Sequence, residues 1–100
     1  MDIKSMAISG TLESSDVQIT VEPEQAGVSV DIISSVLNQY GRQIQKVVLD
    51  TLERLDVSAA KVTVVDKGAL DCTIKARVES AVFRAAGVNE AIPWEGVVRE

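Results

Sequence analysis

Residues 70–87 read LDCTIKARVESAVFRAAG and carry two overlapping hydrophobic patterns. Apolar residues alternate from Leu70 to Val78, as they do in a strand with one buried face. Apolar residues also recur at the three- and four-residue spacing of a helix, and only this pattern continues as far as Gly87, a residue type that commonly ends helices. We therefore predict a helix from about Ala69, with a strand followed by a helix as the alternative.

Three shorter segments before this stretch alternate as strands do. The first contains Met6, Ile8 and the Gly10–Leu12 run, the second covers Asp16 to Val21, and the third runs from Val28 to Ile32. Three short strands in succession predict an antiparallel meander, with residues 13–16 as the loop between the first two strands.

A fourth strand and a second helix complete the pattern. Val62, Val64 and Val65 form the strand, which ends at the turn-like residues Asp66–Gly68. Residues 36–55 carry the clearest helical stripe in the chain, and Ser34 or Ser35 can cap the start of this helix. The sequence predicts one α+β domain over residues 1–100, with a small, largely antiparallel sheet and two helices packed on one of its faces.

Composition limits the cellular setting. The chain has 100 residues, which suits a single domain, and its one cysteine, Cys72, rules out an internal disulfide. We expect Cys72 to be a small buried hydrophobic residue, because free cysteine is among the most buried residue types. The N-terminus has no secretory signal pattern, and no apolar stretch reaches the ~20 residues that span a bilayer. A soluble cytoplasmic protein is predicted, with no membrane partner.

The net charge of −5 lies entirely in the first 40 residues, which contain six acidic residues and only one basic residue, Lys4. Residues 41–100 contain nine of each. An acidic half of this kind repels phosphate backbones, so nucleic acid is not an expected partner. Docking on a basic protein surface is expected instead.

Most catalytic chemistry is missing from the sequence. The chain has no histidine, one cysteine and six scattered glycines, so it offers no common general base, thiolate metal cluster or phosphate-binding loop. No metal site and no enzymatic activity of the isolated chain are predicted. Ser14 and Ser15 lie between Glu13 and Asp16, and residue types alone leave open whether they form a simple hairpin loop or a site of covalent attachment.

Three stretches closely resemble the acyl carrier (gamma) subunit of citrate lyase. They are GTLESSDV at Gly10–Val17, DKGALDC at Asp66–Cys72 and PWE at Pro93–Glu95, in the order in which that family has them. The resemblance covers nearly the whole chain. Because the Asp-Ser-Leu motif of ordinary acyl carrier proteins is absent, the resemblance does not imply their four-helix fold.

The resemblance implies that Ser14 carries a phosphoribosyl-dephospho-coenzyme A group through a phosphodiester bond, added by a prosthetic-group transferase. The thiol of this group would bear acetyl or citryl, which the alpha subunit exchanges and the beta subunit cleaves to oxaloacetate. Residue 15 is Ser where some family members have Gly. Trp94 beside Pro93 is expected to anchor the tail against the body of the protein or against a partner.

A second reading, from another functional class, remains open at this point. In it the chain is a non-catalytic assembly subunit that binds its partners without a prosthetic group. The intact mass of the protein from its native source separates the two readings, because only a carrier would gain mass.

Overall fold

The computed structural model describes residues 1–34 and 41–87, and within these residues the chain forms a mixed sheet and two helices. The strands are β1 (Ala7–Gly10), β2 (Val17–Glu22), β3 (Val28–Ser34) and β4 (Ala60–Asp66), and the helices are α1 (Gly41–Arg54) and α2 (Asp71–Ala85). The predicted α+β class and the absence of a four-helix bundle are thereby confirmed.

The order of the strands differs from the predicted meander. The sheet has the order β1-β2-β4-β3, with antiparallel pairing of β1 with β2 and of β2 with β4, and parallel pairing of β3 with β4. The meander was therefore the wrong topology for β3. The reason is that α1 lies between β3 and β4 in the chain, and a helical crossover of this kind joins parallel strands.

The core lies between the helices and one face of the sheet. Alternate residues of the two central strands are fully buried there: Val17, Ile19 and Val21 of β2, and Ala60, Val62 and Val64 of β4. The helices supply Ile44, Val48 and Leu52 from α1, and Ile74, Val78, Ala81, Val82, Phe83 and Ala85 from α2. Such alternation is typical of a sheet with one covered face.

The other face of the sheet is not covered by either helix. Ile8 and Ile33 lie on this face and are 45% and 61% exposed. In β1 the residues that face the core are Ala7 and Ser9, which pair with Val21 and Ile19. The prediction of a strand here is thus confirmed, but its apolar members Met6 and Ile8 are exposed, contrary to the alternation on which the prediction was based.

The helical reading of residues 70–87 is confirmed, with two corrections. Cys72 is exposed, although the sequence suggested a buried residue. At 3.6 residues per turn, Cys72 lies about 200° around the helix from the buried Ile74, so the strand-like alternation does not describe its surroundings. Leu70 precedes the first turn and is 71% exposed, so it is not part of the apolar stripe.

Two predicted features fall partly or wholly outside the described residues. The start of the 36–55 helix, with Ser35 as a possible cap, lies there, and so do Pro93 and Trp94. Ser34 ends β3, where its hydroxyl donates a 3.0 Å hydrogen bond to Asp66 Oδ2. Neither α1 nor α2 is long and apolar enough to cross a membrane.

Candidate functional site

The two serines lie in the loop of residues 11–16, which joins β1 to β2. Both Ser14 and Ser15 are exposed. The backbone N–H of Asp16 donates to the carbonyl of Glu13 at 3.2 Å, which closes a four-residue turn with the two serines at its centre. Ser15 has a φ of +66°, a conformation that glycine adopts at no steric cost and that other residues adopt rarely.

The Asp16 carboxylate holds the two ends of this loop together. Its Oδ2 accepts hydrogen bonds from the Thr11 backbone N–H at 3.1 Å and from Thr11 Oγ1 at 2.7 Å, and its Oδ1 accepts from the Val17 N–H at 2.7 Å. The Thr11 hydroxyl in turn accepts from the Glu13 N–H at 3.2 Å. One side chain thus fixes the backbone on both sides of the serines.

Arg77 of α2 forms a bidentate contact with the same carboxylate through two nitrogens. Arg77 Nε lies 3.2 Å from Asp16 Oδ1, and Arg77 Nη2 lies 3.2 Å from Asp16 Oδ2. The Asp16 side chain is 15% exposed, and that of Arg77 is 39% exposed. The hydrogen bonds from Thr11 and Val17, followed by the Arg77 contact, lower the pKa of Asp16 from 3.8 to about 2. Asp16 is therefore a paired carboxylate at neutral pH.

The loop also rests on the turn that follows β4. The Ser15 N–H donates to the Lys67 carbonyl at 2.8 Å, and the Lys67 N–H donates to the Asp16 carbonyl at 2.9 Å. Asp66 is 2% exposed and accepts from the N–H groups of Gly68 at 3.2 Å and Ala69 at 3.0 Å, which holds this turn in place. The stretches GTLESSDV and DKGALDC, far apart in the sequence, are therefore in direct contact.

Gly10 allows the end of β1 to lie close to Val17 at the start of β2. Its φ is +90°, and a Cβ atom at this position would lie 1.8 Å from the Val17 carbonyl oxygen and 3.2 Å from Arg77 Cδ. Any side chain here would displace the start of β2, so the glycine is required by both space and backbone conformation.

Chemically, the loop offers an accessible hydroxyl on a fixed backbone. Within the described parts of the chain, the Ser14 side chain has no hydrogen-bond partner, and no group of three or more potential metal-binding side chains is found. The chain has no histidine that could activate the hydroxyl from within.

The structure brings together most of the residues that the sequence singled out. Glu13, Ser14, Ser15 and Asp16 share one loop, as predicted. Arg77 was missed, because it lies 61 residues from Asp16 and nothing in the sequence links the two. Trp94 lies outside the described residues, so its role stays a prediction.

Comparisons with known proteins show which family the chain resembles. A family model described as "Malonate decarboxylase delta subunit (MdcD)" matches residues 4–85. The citrate lyase acyl carrier protein of Streptococcus mutans is 54% identical over 98 residues, which cover 97% of this chain and 95% of the relative. That of Oenococcus oeni is 50% identical over 95 residues, which cover 95% of this chain and 98% of the relative.

A solved structure shows the same fold. One chain of a Pseudomonas malonate decarboxylase hetero-tetramer in complex with malonate aligns with a TM-score of 0.71 over 83% of this chain and 86% of that chain. The sequence identity is 22%, so this likeness concerns the fold alone.

Proposed function

The chain belongs to the family of citrate lyase acyl carrier proteins, and from this membership we propose that it is the carrier subunit of a citrate lyase whose prosthetic group is attached to Ser14. An acyl carrier role follows from the family. The attachment residue, the chemical identity of the group and the partner subunits are the parts that we propose here.

The observation that supports covalent attachment in this loop is the setting of its two serines, and the choice of Ser14 over Ser15 rests on the resemblance of GTLESSDV to the family. A phosphodiester link to serine needs a hydroxyl that a second protein can reach at the surface. Ser14 and Ser15 are both exposed at the centre of a turn, and neither side chain has a hydrogen-bond partner among residues 1–34 and 41–87. The residues present therefore fit a covalently attached phosphoribosyl-dephospho-coenzyme A.

When bound, this group would supply a thiol that carries acetyl and citryl between the alpha subunit, a citrate:acetyl-carrier transferase, and the beta subunit, a citryl lyase. The chain's own contribution would be mechanical. Asp16, Thr11 and the Lys67 backbone fix the loop, and Ser14 then anchors the group at a defined point on the surface. A tether of this kind raises the effective concentration of a carried group at nearby active sites without a binding pocket.

A carrier of this type needs no catalytic base of its own, which fits a chain without histidine. We propose that all bond making and breaking takes place on the two larger subunits. A single carrier domain over residues 1–100 and a cytoplasmic location are part of the same proposal.

Paired serine variants test the attachment site. Purified wild-type chain, Ser14→Ala and Ser15→Ala are incubated with the prosthetic-group transferase and its activated precursor, and the intact mass of each is measured. We expect the wild type and Ser15→Ala to gain the mass of the group and Ser14→Ala to remain unmodified. Both substitutions should leave the fold intact, because exposed positions of this kind change the free energy of unfolding by less than about 0.5 kcal/mol.

Loading of Ser14→Ala together with failure of Ser15→Ala would move the site to Ser15. A chain isolated from citrate-fermenting cells without any added mass would favour the second reading, an assembly subunit that carries no group.

A further inference from the structure

We propose that Arg77 is a positioning residue for loading of the prosthetic group: by gripping Asp16 it keeps the loop of residues 11–16 in the one conformation that the transferase recognises. This inference deepens the proposed function and rests on Ser14 as the attachment site. Arg77 itself would not touch the reacting atoms.

The first argument is the geometry of the pair. Two parallel contacts of 3.2 Å join the Arg77 guanidinium to the two carboxylate oxygens of Asp16, the arrangement that fixes both the distance and the plane of a carboxylate. The same two oxygens accept the hydrogen bonds from Thr11 and Val17 that close the loop. Arg77 therefore sets the orientation of the acceptor on which the loop is built.

The second argument is burial. The Asp16 side chain is only 15% exposed, and among residues 1–34 and 41–87 Arg77 is the basic residue paired with it, so loss of Arg77 leaves this carboxylate held by Thr11 and Val17 alone. A carboxylate left in this way tends to turn toward solvent, and the bonds to Thr11 and Val17 would weaken as it did so. Ser14 lies between the two backbone segments that these bonds hold, so its position depends on Arg77.

Loading is sensitive to this position. In the expected reaction, the Ser14 hydroxyl gives its proton to a base on the transferase while its oxygen attacks the phosphorus of a phosphoanhydride precursor. A new O–P bond forms, and the anhydride P–O bond breaks to release the phosphate leaving group. If only a fraction of loops has the recognised conformation, the apparent KM for the carrier rises by the inverse of that fraction, while kcat is little changed.

Arg84 provides a matched control on the same helix. Its Nη1 donates to the Ile8 carbonyl of β1 at 3.0 Å, so it also ties α2 to the β1–β2 hairpin. Arg77 contacts the loop end of the hairpin, whereas Arg84 contacts the middle of β1. Replacing either residue removes an arginine that ties α2 to the hairpin, through two bonds for Arg77 and one for Arg84, but only replacement of Arg77 affects the loop.

The experiment compares wild type, Arg77→Ala, Arg77→Lys and Arg84→Ala as full chains. Initial rates of loading are followed by intact mass with the transferase and the phosphoanhydride precursor, at varied carrier concentration. We expect Arg77→Ala to raise the KM for the carrier about three- to tenfold, with kcat within about twofold of wild type. Arg84→Ala should change KM by less than about twofold. Arg77→Lys keeps the charge without the two-point grip, so its KM should be intermediate.

Hydrogen exchange measured without the transferase gives a second, independent readout. The amides of Thr11 and Ser15 should exchange faster in Arg77→Ala than in Arg84→Ala. The Thr11 amide donates directly to Asp16, and the Ser15 amide lies within the turn that Asp16 closes. An unchanged KM in Arg77→Ala, or one equal to that of Arg84→Ala, would overturn the inference. If Arg77→Ala does not fold, the same comparison is decided by Arg77→Lys, for which a wild-type KM would overturn it.

Failure of the proposed function looks different from failure of this inference. If the wild type gained no mass, or gained it on a residue other than Ser14, the attachment site would be wrong whatever the variants did. If the wild type loads at Ser14 and Arg77→Ala loads with wild-type KM, only the positioning role is wrong.

Discussion

The backbone N–H of Ser15 donates a 2.8 Å hydrogen bond to the carbonyl of Lys67, and this contact joins the loop of the β1–β2 hairpin to the turn after β4. It continues the pairing of β2 with β4, in which Val17 lies opposite Asp66. Two of the three stretches that resemble the citrate lyase carrier family are therefore halves of one local structure. The third contains Trp94 and lies outside the described residues.

The left-handed conformation of Ser15 predicts an unusual gain in stability. With φ at +66°, Ser15→Gly should relieve backbone strain and raise the free energy of unfolding by about 0.5–1 kcal/mol. The control is Ser14→Gly, since φ at residue 14 is not positive and the substitution only adds freedom to the unfolded chain. Urea unfolding of both variants measures the difference. A Ser15→Gly protein less stable than wild type would contradict the assigned turn.

Gly10 should be among the least replaceable residues. Gly10→Ala places a Cβ atom 1.8 Å from the Val17 carbonyl oxygen, so β2 must shift at the base of the loop. We expect a loss of more than about 2 kcal/mol, with slower loading of Ser14. Gly68→Ala is the control, because Gly68 has a similar φ of +95° but no atom within 4 Å of an added Cβ. Equal losses in the two variants would show that the contact with Val17 adds nothing to the backbone cost.

Periodicity along the sequence was sufficient to predict the strands and helices but not their arrangement. The helical stripe through Ile74 and Val78 extends over four turns and therefore outweighs the short alternation that includes Cys72. The position of β4 between β2 and β3 has no local signal, since strand order depends on the path of α1 over the sheet. The pattern of Met6 and Ile8 predicted the wrong buried face for a related reason. A short edge strand buries too little surface for its apolar residues to determine which face is covered.

In the loop of residues 11–16, too, local features could be predicted from the sequence and long-range contacts could not. The loop around Ser14 could be predicted from the turn-forming residues of Glu13–Asp16, which are local, whereas Ser14 as the attachment residue stays a prediction. The contact of Arg77 with Asp16 could not be predicted, because two residues 61 positions apart can form an ion pair without any effect on periodicity or composition. Of the two acidic residues beside the serines, Asp16 is paired with Arg77, and Glu13 is exposed.

The lowered pKa of Asp16 predicts a defined acid sensitivity. Its pKa is about 2 in the folded chain and 3.8 without these partners, so the ionised form stabilises the fold above about pH 4. This contribution should be lost progressively as the pH falls from about 4 to 2. The measurement is the difference in unfolding free energy between wild type and Asp16→Asn, which has no such titration. The difference should shrink across this window, and a constant difference from pH 5 to pH 2.5 would contradict the pairing.

A buried ion pair between the helices should matter more than an exposed one. Glu79 is 1% exposed, and its Oε2 lies 2.9 Å from Arg54 Nη2, whereas the Lys46–Asp50 pair is well exposed on α1. Glu79→Ala leaves the Arg54 guanidinium, whose side chain is 22% exposed, without this carboxylate and should cost about 1–3 kcal/mol. Asp50→Ala should give no measurable change. Thermal unfolding of the two variants makes the comparison, and similar losses would mean that the Glu79 pair is no better protected from water.

The last prediction concerns docking of the carrier on its partners. The acidic half of the chain suggests positive docking surfaces, and near Ser14 the exposed acidic residue available for this role is Glu13. Glu13→Lys should therefore weaken binding to the alpha and beta subunits at low salt, and the effect should fade as salt screens charges beyond about 8 Å.

Glu53→Lys is the matched control. Glu53 is exposed beside Val28 at the start of β3, and β3 begins at the sheet end opposite Asp66 and the serine loop. Asp16→Lys would not serve, because it would also break the contact with Arg77. Binding of each variant to each partner subunit, measured at low and high salt, separates a docking role from a general effect of net charge: equal weakening by Glu13→Lys and Glu53→Lys would leave the loop with no special part in docking.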